Sequence, residues 1–596
     1  MNRGRGFLAA LIVACLIVGA GGAWAQDYDR VAPKEPPAPA GVPEIVPPAP
    51  PPAEPSERVL LPELRGLRLI DNGEKLERNG VGATGITLDG PLLLDTPETR
   101  AALTPFLGKP LTPSGLQAIS RSIIAQYRAA NRPFVDVAFP EQDISGGVVQ
   151  AVVTEFRVEA IRVEGNRWFA SDLLRDDVRL APGDRIDADR LREDLVWLNQ
   201  NPFRQVNLVA EKSPTPGGTD LVLKTEDRFP LRVYGSYDNS GVPILGRDRW
   251  SLGFNYGNLL GLDQQLSYQL TTGNDFWHHR ADVPGFSSDP TFQAHAVNYI
   301  APLPWRDKLA IFGAYEEAVP RGASVTPLDV VGISGQASTR YIMPFAARPN
   351  LVQDLQFGYD FKTSNNNLAF GGTQISTTYT EIDQFPLIYD ATIVDAFGQT
   401  ALQNTLVLSP GNITGANKDA AFQSQAGNPF ARARYVYDHL AITRTTALPR
   451  NTSWVMRVVA QASDHNLLPS EQLGAGGVDS VRGYDDHTAN GSQGVLLSEE
   501  LRSPPFPVMG ALGKAPLPDQ LQLLTFWDYA SVSDKQVDLT VPGARSSTQL
   551  ASVGLGLRYQ VPRYLEVRFD YGWQLRNAPG ATSHGQFGHV SVALSY

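Results

Sequence analysis

The chain has 596 residues, one cysteine and a formal charge of −11, from 51 basic and 62 acidic side chains. The acidic balance argues against nucleic acid as a partner, and a lone cysteine excludes a disulfide framework. Beyond the N-terminal segment no window offers the ~18 consecutive apolar residues of a membrane helix, which leaves a periplasmic protein, a surface protein or an outer-membrane barrel.

Residues 1–25 carry Arg3 and Arg5, an apolar run from Phe7 to about Ala20, and the small-x-small triplet Ala23-Trp24-Ala25. They are expected to be a secretory signal peptide cleaved before Gln26. Cys15 could be read as a lipoprotein acceptor, but apolar residues continue past it and a better cleavage site follows. Residues 26–57 contain a run, 33–55, that is about half proline; its composition predicts a polyproline-like spacer.

From Arg58 the pattern is mixed α/β and is written twice, over 58–154 and 155–228. In the first unit the strand GITLDGPLLL leads to a helix around Thr96 to Phe106. A second helix, SGLQAISRSIIAQYRAAN, puts Leu116, Ile119, Ile123 and Tyr127 on one face. The strands FVDVAFP and GGVVQAVVTE close the unit. The second unit runs FRVEAIRVEGN, SDLLRDDV, DADRLREDLVWLNQ, QVNLVAEK and TDLVLKTED. Tandem modules of this kind suit docking better than chemistry.

Residues 229–596 change texture, with no convincing amphipathic helix and a series of segments in dyad alternation. In RYLEVRFDYGWQL, Leu565, Val567, Phe569, Tyr571 and Trp573 oppose Glu566, Arg568, Asp570 and Gln574. In QDLQFGYDFKTS, Leu355, Phe357, Tyr359 and Phe361 oppose Asp354, Gln356, Asp360 and Lys362. Aromatic-rich faces toward lipid and charged faces toward a wet lumen make a transmembrane β-barrel. Strands are expected near 231–238, 249–258, 263–272, 291–301, 307–317, 329–342, 353–364, 375–389, 399–409, 431–446, 452–463, 492–502, 519–531, 548–560, 563–574 and 587–596. That makes sixteen antiparallel strands, an even number as single-chain bacterial barrels require. Short connections (NLLGL, PLPWR, ALPR, VP) alternate with long ones (273–290, 410–429, 464–491, 532–547), so the modules and the last residue belong on the periplasmic side. A large extracellular β-sandwich is the soluble alternative, and it leaves the turn asymmetry unexplained.

No catalytic constellation survives inspection: the chain lacks a Gly-x-Ser-x-Gly elbow, a phosphate-binding loop and a His-Glu-x-x-His. His278 and His279, beside Asp275 and Asp282, could form a weak metal site, but adjacent side chains diverge and a solvated loop is the better reading. Neither enzymatic activity, a metal nor a cofactor is expected.

Within the sixth long loop, 464–491, the stretch GGVDSVRGYDDHTANG is dense in turn formers yet centres on Arg482. That arginine could cap a surface turn or reach for a partner.

The order of parts and several motifs resemble the outer-membrane transporters of two-partner secretion (type V secretion), the TpsB group of haemolysin secretion/activation proteins. The likeness runs from about Arg58 to Tyr596. FPEQDISGGVV (139–149) and YRAANRPFVDV look like parts of the first polypeptide-transport-associated (POTRA) module. LNQNPFRQVNL (198–208) and PGGTDLVLKTED (216–227) look like parts of the second. DNSG (238–241) falls at the top of the first barrel strand, and Val481-Arg482-Gly483-Tyr484 resembles the family's VRGY motif in loop 6.

The resemblance implies that loop 6 folds back into the barrel. Its Arg482 would then meet Asp528 of the Phe526-Trp527-Asp528 segment on strand thirteen. It also implies that C-terminal Tyr596 is read by barrel-assembly machinery. The partners implied are a secreted, unfolded exoprotein bound by the periplasmic POTRA modules and outer-membrane lipid. In one respect the chain departs from the family, which often carries an N-terminal plug helix: Gln26 to Ala32 are too few for one. An outer-membrane assembly factor of the same superfamily is the alternative, although such factors usually carry more than two modules. A diffusion porin would need neither the modules nor the VRGY loop.

Overall fold

The computed structural model describes residues 28, 31–36, 45–46, 58–90, 92–277, 290–318, 328–346, 348, 350–370, 373–509, 517–537 and 545–596. The signal segment with Cys15 and the pair His278-His279 lie outside the described residues. The chain divides into two compact units, Pro39–Phe229 on one side and Met1–Ala38 with Pro230–Tyr596 on the other.

The N-terminal unit holds two sheets. The strands are β1 (Ile45–Val46), β2 (Gly66–Ile70), β3 (Gly85–Asp89), β4 (Val135–Ala138), β5 (Val148–Glu155), β6 (Arg157–Glu164), β7 (Arg204–Lys212) and β8 (Gly218–Asp227). Their orders are β3-β2-β5-β4 and β1-β7-β8-β6. Helices α1 (Pro97–Leu103) and α2 (Pro113–Ala129) pack on the first sheet, α3 (Ser171–Asp176) and α4 (Ala188–Leu198) on the second. Helix starts follow from local chemistry. Thr96 and Thr112 accept from Thr99 and Gly115 amides, each with proline at the first helical position, and Asp187 accepts from Asp189 and Arg190 amides. The predicted face of α2 is the buried one, with Ile119, Ile123 and Tyr127 in the core.

Two expectations need correction here. The first strand named in the first module, GITLDG, is not its first strand: β2 precedes it and lies parallel to β5 as β6 does to β8, with β3 an edge strand beside it. GLRLI is five residues long, too short for periodicity to flag it. Nor is 33–55 spacer alone. Ile45 and Val46 pair in parallel with Leu208 and Val209 of β7, because the edge of β7 offers unpaired backbone groups and residues 44–46 are flanked by prolines yet keep their own amides.

The second unit is a closed barrel of sixteen antiparallel strands. The first, Leu231–Asp238, pairs with the sixteenth, Gln586–Ser595, over Tyr234 to Asp238 and Ser591 to Ser595. The alternation in sequence is the alternation in space. Leu252, Val297, Ile311, Phe357, Leu387, Leu523, Trp527, Leu555, Trp573 and Leu594 are exposed on the outer face, the pattern of the apolar band of a membrane-spanning barrel. Arg340, Asp360, Lys362, Gln384, Glu500, Asp528, Asp570 and His589 are buried on the inner face.

The seventh and eighth strands, Leu351–Phe370 and Thr373–Asp395, outrun their predicted bounds, because Asn365-Asn366-Asn367, which read as turn formers, continue the pairing with Tyr379, Thr378 and Thr377. Loop 5 contains a helix, α5 (Asp419–Ala426), closed by Gly427 at φ +58°; its Phe422 is buried. The sequence offered no convincing amphipathic helix after Phe229, and α5 is short, with Phe422 its one buried residue. The connection 503–519 between the twelfth and thirteenth strands, Gln493–Arg502 and Gln520–Ser533, is a long one at the short-turn end.

Candidate functional site

Loop 6 leaves the eleventh strand, Ser453–Ser463, forms a short ribbon of Leu473–Ala475 with Ala489–Gly491, and puts its tip on the inner barrel wall. The Arg482 side chain is 2% exposed. Its Nε donates to Asp528 Oδ2 and its Nη2 to Asp528 Oδ1, both at 2.8 Å, and its backbone N–H donates to Oδ2 at 3.0 Å. The guanidinium lies 3.6 Å above the centroid of the Phe526 ring, a cation–π contact. Strand alternation fixes this arrangement, since Phe526 and Asp528 point inward and Trp527 outward. The structure thus brings Arg482, Phe526 and Asp528 together.

Val481 is buried among Leu496, Ala530, Val532 and Leu550. The Tyr484 hydroxyl lies 2.6 Å from the Arg576 carbonyl and 2.9 Å from that of Ala551. Gly483 adopts φ +90°, and a Cβ there would stand 2.8 Å from the Gly572 carbonyl oxygen, so only glycine fits. Both its backbone groups are held: its N–H donates to His589 Nε2 at 3.1 Å, and Gln574 Nε2 donates to its carbonyl at 2.7 Å. Tyr596 stands at the other end of the barrel, exposed, its backbone exchanging hydrogen bonds with Val233.

Several participants escaped the sequence reading. Glu500 accepts from Arg482 Nη1 at 2.6 Å, Ser498 bridges Arg482 and Asp528, and Asp570 stands 3.5 Å from Nη1. Arg568 on the fifteenth strand, Leu565–Gln574, donates to Asp570, to Asp479 and to the Val478 carbonyl. Arg558 donates to Asp570 at 2.9 Å and Arg502 pairs with Glu500. Arg482, Arg502, Arg558 and Arg568 thereby face Asp479, Glu500, Asp528 and Asp570, a balanced cluster in which each charge has a partner. Alternation had placed Arg568, Asp570 and Gln574 on the polar face; nothing in it said that they converge on Arg482.

The N-terminal stretch also enters the barrel. Tyr28 and Val31 are buried among Phe292, Ala294, Ala296 and Phe312. Tyr234 accepts from the Lys34 amide, while Arg232 and Asn255 donate to the Lys34 carbonyl. All of these barrel side chains point inward. Tyr28 and Val31 have helical backbone, and the described residues of this stretch lie against the inner wall of the barrel.

Comparison with known proteins supplies the assignment. The model of the haemolysin secretion/activation protein family ShlB/FhaC/HecB matches residues 217–318 and 352–559, and that of the ShlB-type POTRA domain matches 82–155. The chain belongs to the ShlB/FhaC/HecB family. It resembles the heme/hemopexin transporter protein HuxB of Haemophilus influenzae, at 23% identity over 477 residues, 78% of each chain. In fold it resembles CdiB from Escherichia coli, with a TM-score of 0.67 at 16% identity over 92% of each chain. BamA from Haemophilus ducreyi lacking POTRA domains 1–3 gives 0.51 at 14% identity, covering 85% of this chain and 98% of that one. As a member of the family, the chain is an outer-membrane transporter of two-partner secretion whose POTRA region stands in the periplasm and whose barrel exports an exoprotein. The assembly-factor alternative is not favoured.

Proposed function

We propose that the two modules, 58–154 and 155–228, recognise one large exoprotein in its unfolded state by adding its strand to a sheet edge. The barrel 229–596 then passes that exoprotein outward once loop 6 has shifted. No nucleotide triphosphate is available outside the inner membrane, so folding at the cell surface supplies the direction. The observation that carries this reading is the fork of Arg482 on Asp528: a loop fastened to the inner wall is a gate. In this reading the chain has no catalytic activity of its own. Its outer apolar face contacts lipid, and Tyr596 serves the barrel-assembly machinery as a terminal signal.

The test compares secreted and outer-membrane proteomes of the native host with and without the gene, complemented by wild type or by Arg482→Ala. Loss of one large exoprotein from the medium, restored by wild type and not by Arg482→Ala, supports both export and gate. A joint fall of many barrel proteins in the membrane fraction would overturn the export reading.

A further inference from the structure

Loop 6 is fastened at its root as well as at its tip. Glu471, in the turn Pro469–Glu471, is wholly buried. One carboxylate oxygen pairs with the Lys362 ammonium, the other accepts from the Tyr437 hydroxyl at 3.0 Å, and the Glu471 carbonyl accepts from Gln461 Nε2 at 3.0 Å. Side-chain exposure across the ion pair is 2% for Lys362 and 0% for Glu471. Leu467, Leu468, Tyr435, Tyr437 and Phe422 of α5 seal it.

Lys362 belongs to the seventh strand and Tyr437 to the tenth, Tyr435–Ala447. The Arg482 cluster belongs to the twelfth, thirteenth and fifteenth. In the ring of sixteen Lys362 stands six strands from Asp528 and Tyr437 two from Glu500, so the loop is fastened to the wall at two separate places. A buried ion pair of this kind holds hard while dry, because lifting one partner strands the other charge in a poor solvent. Once water enters, both charges are solvated and the attraction falls steeply with the rising dielectric. Such a fastening resists thermal opening and yields to a wetted, occupied pore.

We propose that Lys362 and Glu471 form a second fastening of loop 6, independent of Arg482 and Asp528, with Tyr437 as its positioning residue. The proposal rests on the reading of loop 6 as the gate. It is tested on the purified full-length protein in planar lipid bilayers, where no exoprotein is needed. Glu471→Gln and Lys362→Met should each raise the fraction of time open by at least about fivefold, since each breaks a buried ion pair. Tyr437→Phe should have a smaller effect. Combined with Arg482→Ala, the effects should multiply, as expected of separate sites. Heat-modifiable migration on gels reports that the barrel has assembled.

Assembled variants that stay as closed as wild type would overturn the proposal. So would double variants no more open than Arg482→Ala alone, or failure of both single variants to assemble, which would make the pair a folding element. If the pore opens as described while the host exports no exoprotein, the fastening stands and the export reading falls.

Discussion

Arg482 grips Asp528 through two side-chain bonds of 2.8 Å and a backbone bond of 3.0 Å, with the aspartate fully buried on the thirteenth strand. A planar fork on a carboxylate fixes orientation as well as distance. Seating the loop tip is therefore close to all-or-none.

Arg482→Ala leaves Asp528 and Glu500 without their shared cation. Breaking a buried pair costs roughly 3–5 kcal/mol, less where water reaches the lumen, so export should fall at least about tenfold. Arg482→Lys keeps the charge but not the fork and should recover only part of it. Export of the dependent exoprotein and protease access to loop 6 measure both.

Asp528→Asn should be more damaging than Glu500→Gln. Asp528 accepts three bonds from Arg482, whereas Glu500 accepts one and keeps Arg502 as a second partner. A difference of about 1–3 kcal/mol in tip docking should appear as several-fold more frequent pore opening in Asp528→Asn, read by bilayer conductance.

Gly483→Ala should reproduce the Arg482→Ala phenotype without touching a charge. It forces an alanine to φ +90° with its Cβ 2.8 Å from the Gly572 carbonyl oxygen, a strain of on the order of 1–3 kcal/mol before the clash is counted. Heat-modifiability should stay at wild-type level while export falls.

Tyr28→Ala should loosen the N-terminal stretch from the lumen. The ring packs on Phe312, tilted by 48° at a centroid distance of 4.6 Å, and its hydroxyl donates to the Val297 carbonyl; truncating a buried aromatic costs on the order of 3 kcal/mol. Conductance in bilayers should rise, with loop 6 as protected from protease as in wild type.

In the periplasmic unit the Ser145 amide holds the Asp143 carboxyl below its ordinary range. Arg68, then Lys75, do the same for Asp89, and Lys224 for Glu164. A folded-state value below the unfolded one means stability that is complete above the unfolded value, roughly pH 4, and lost as pH falls through the folded one. Because these groups are exposed the loss is small. Hydrogen exchange in peptides covering 58–228 should stay constant from pH 6 to 8 after correction for intrinsic rate, with protection declining only below about pH 4.

The sequence alone determined the architecture. Each barrel strand must show one face to lipid and one to water, so its residues alternate, and sixteen such segments separated by turns could be counted before any fold was known. The tip motif was legible through resemblance: Val481-Arg482-Gly483-Tyr484 and Phe526-Trp527-Asp528 match family motifs, and the strand count agreed by placing them in the sixth long loop and on the thirteenth strand.

What only the tertiary structure decided is convergence. Glu500, Asp570 and His589 meet the loop tip, and Lys362 meets Glu471, because closing the ring brings strands together whose spacing in the chain carries no signal. The N-terminal stretch enters the lumen for the same reason. A proline-rich sequence fixes local conformation, but the inward-facing Arg232, Tyr234, Asn255 and Phe312, on three different strands, decide where it is held.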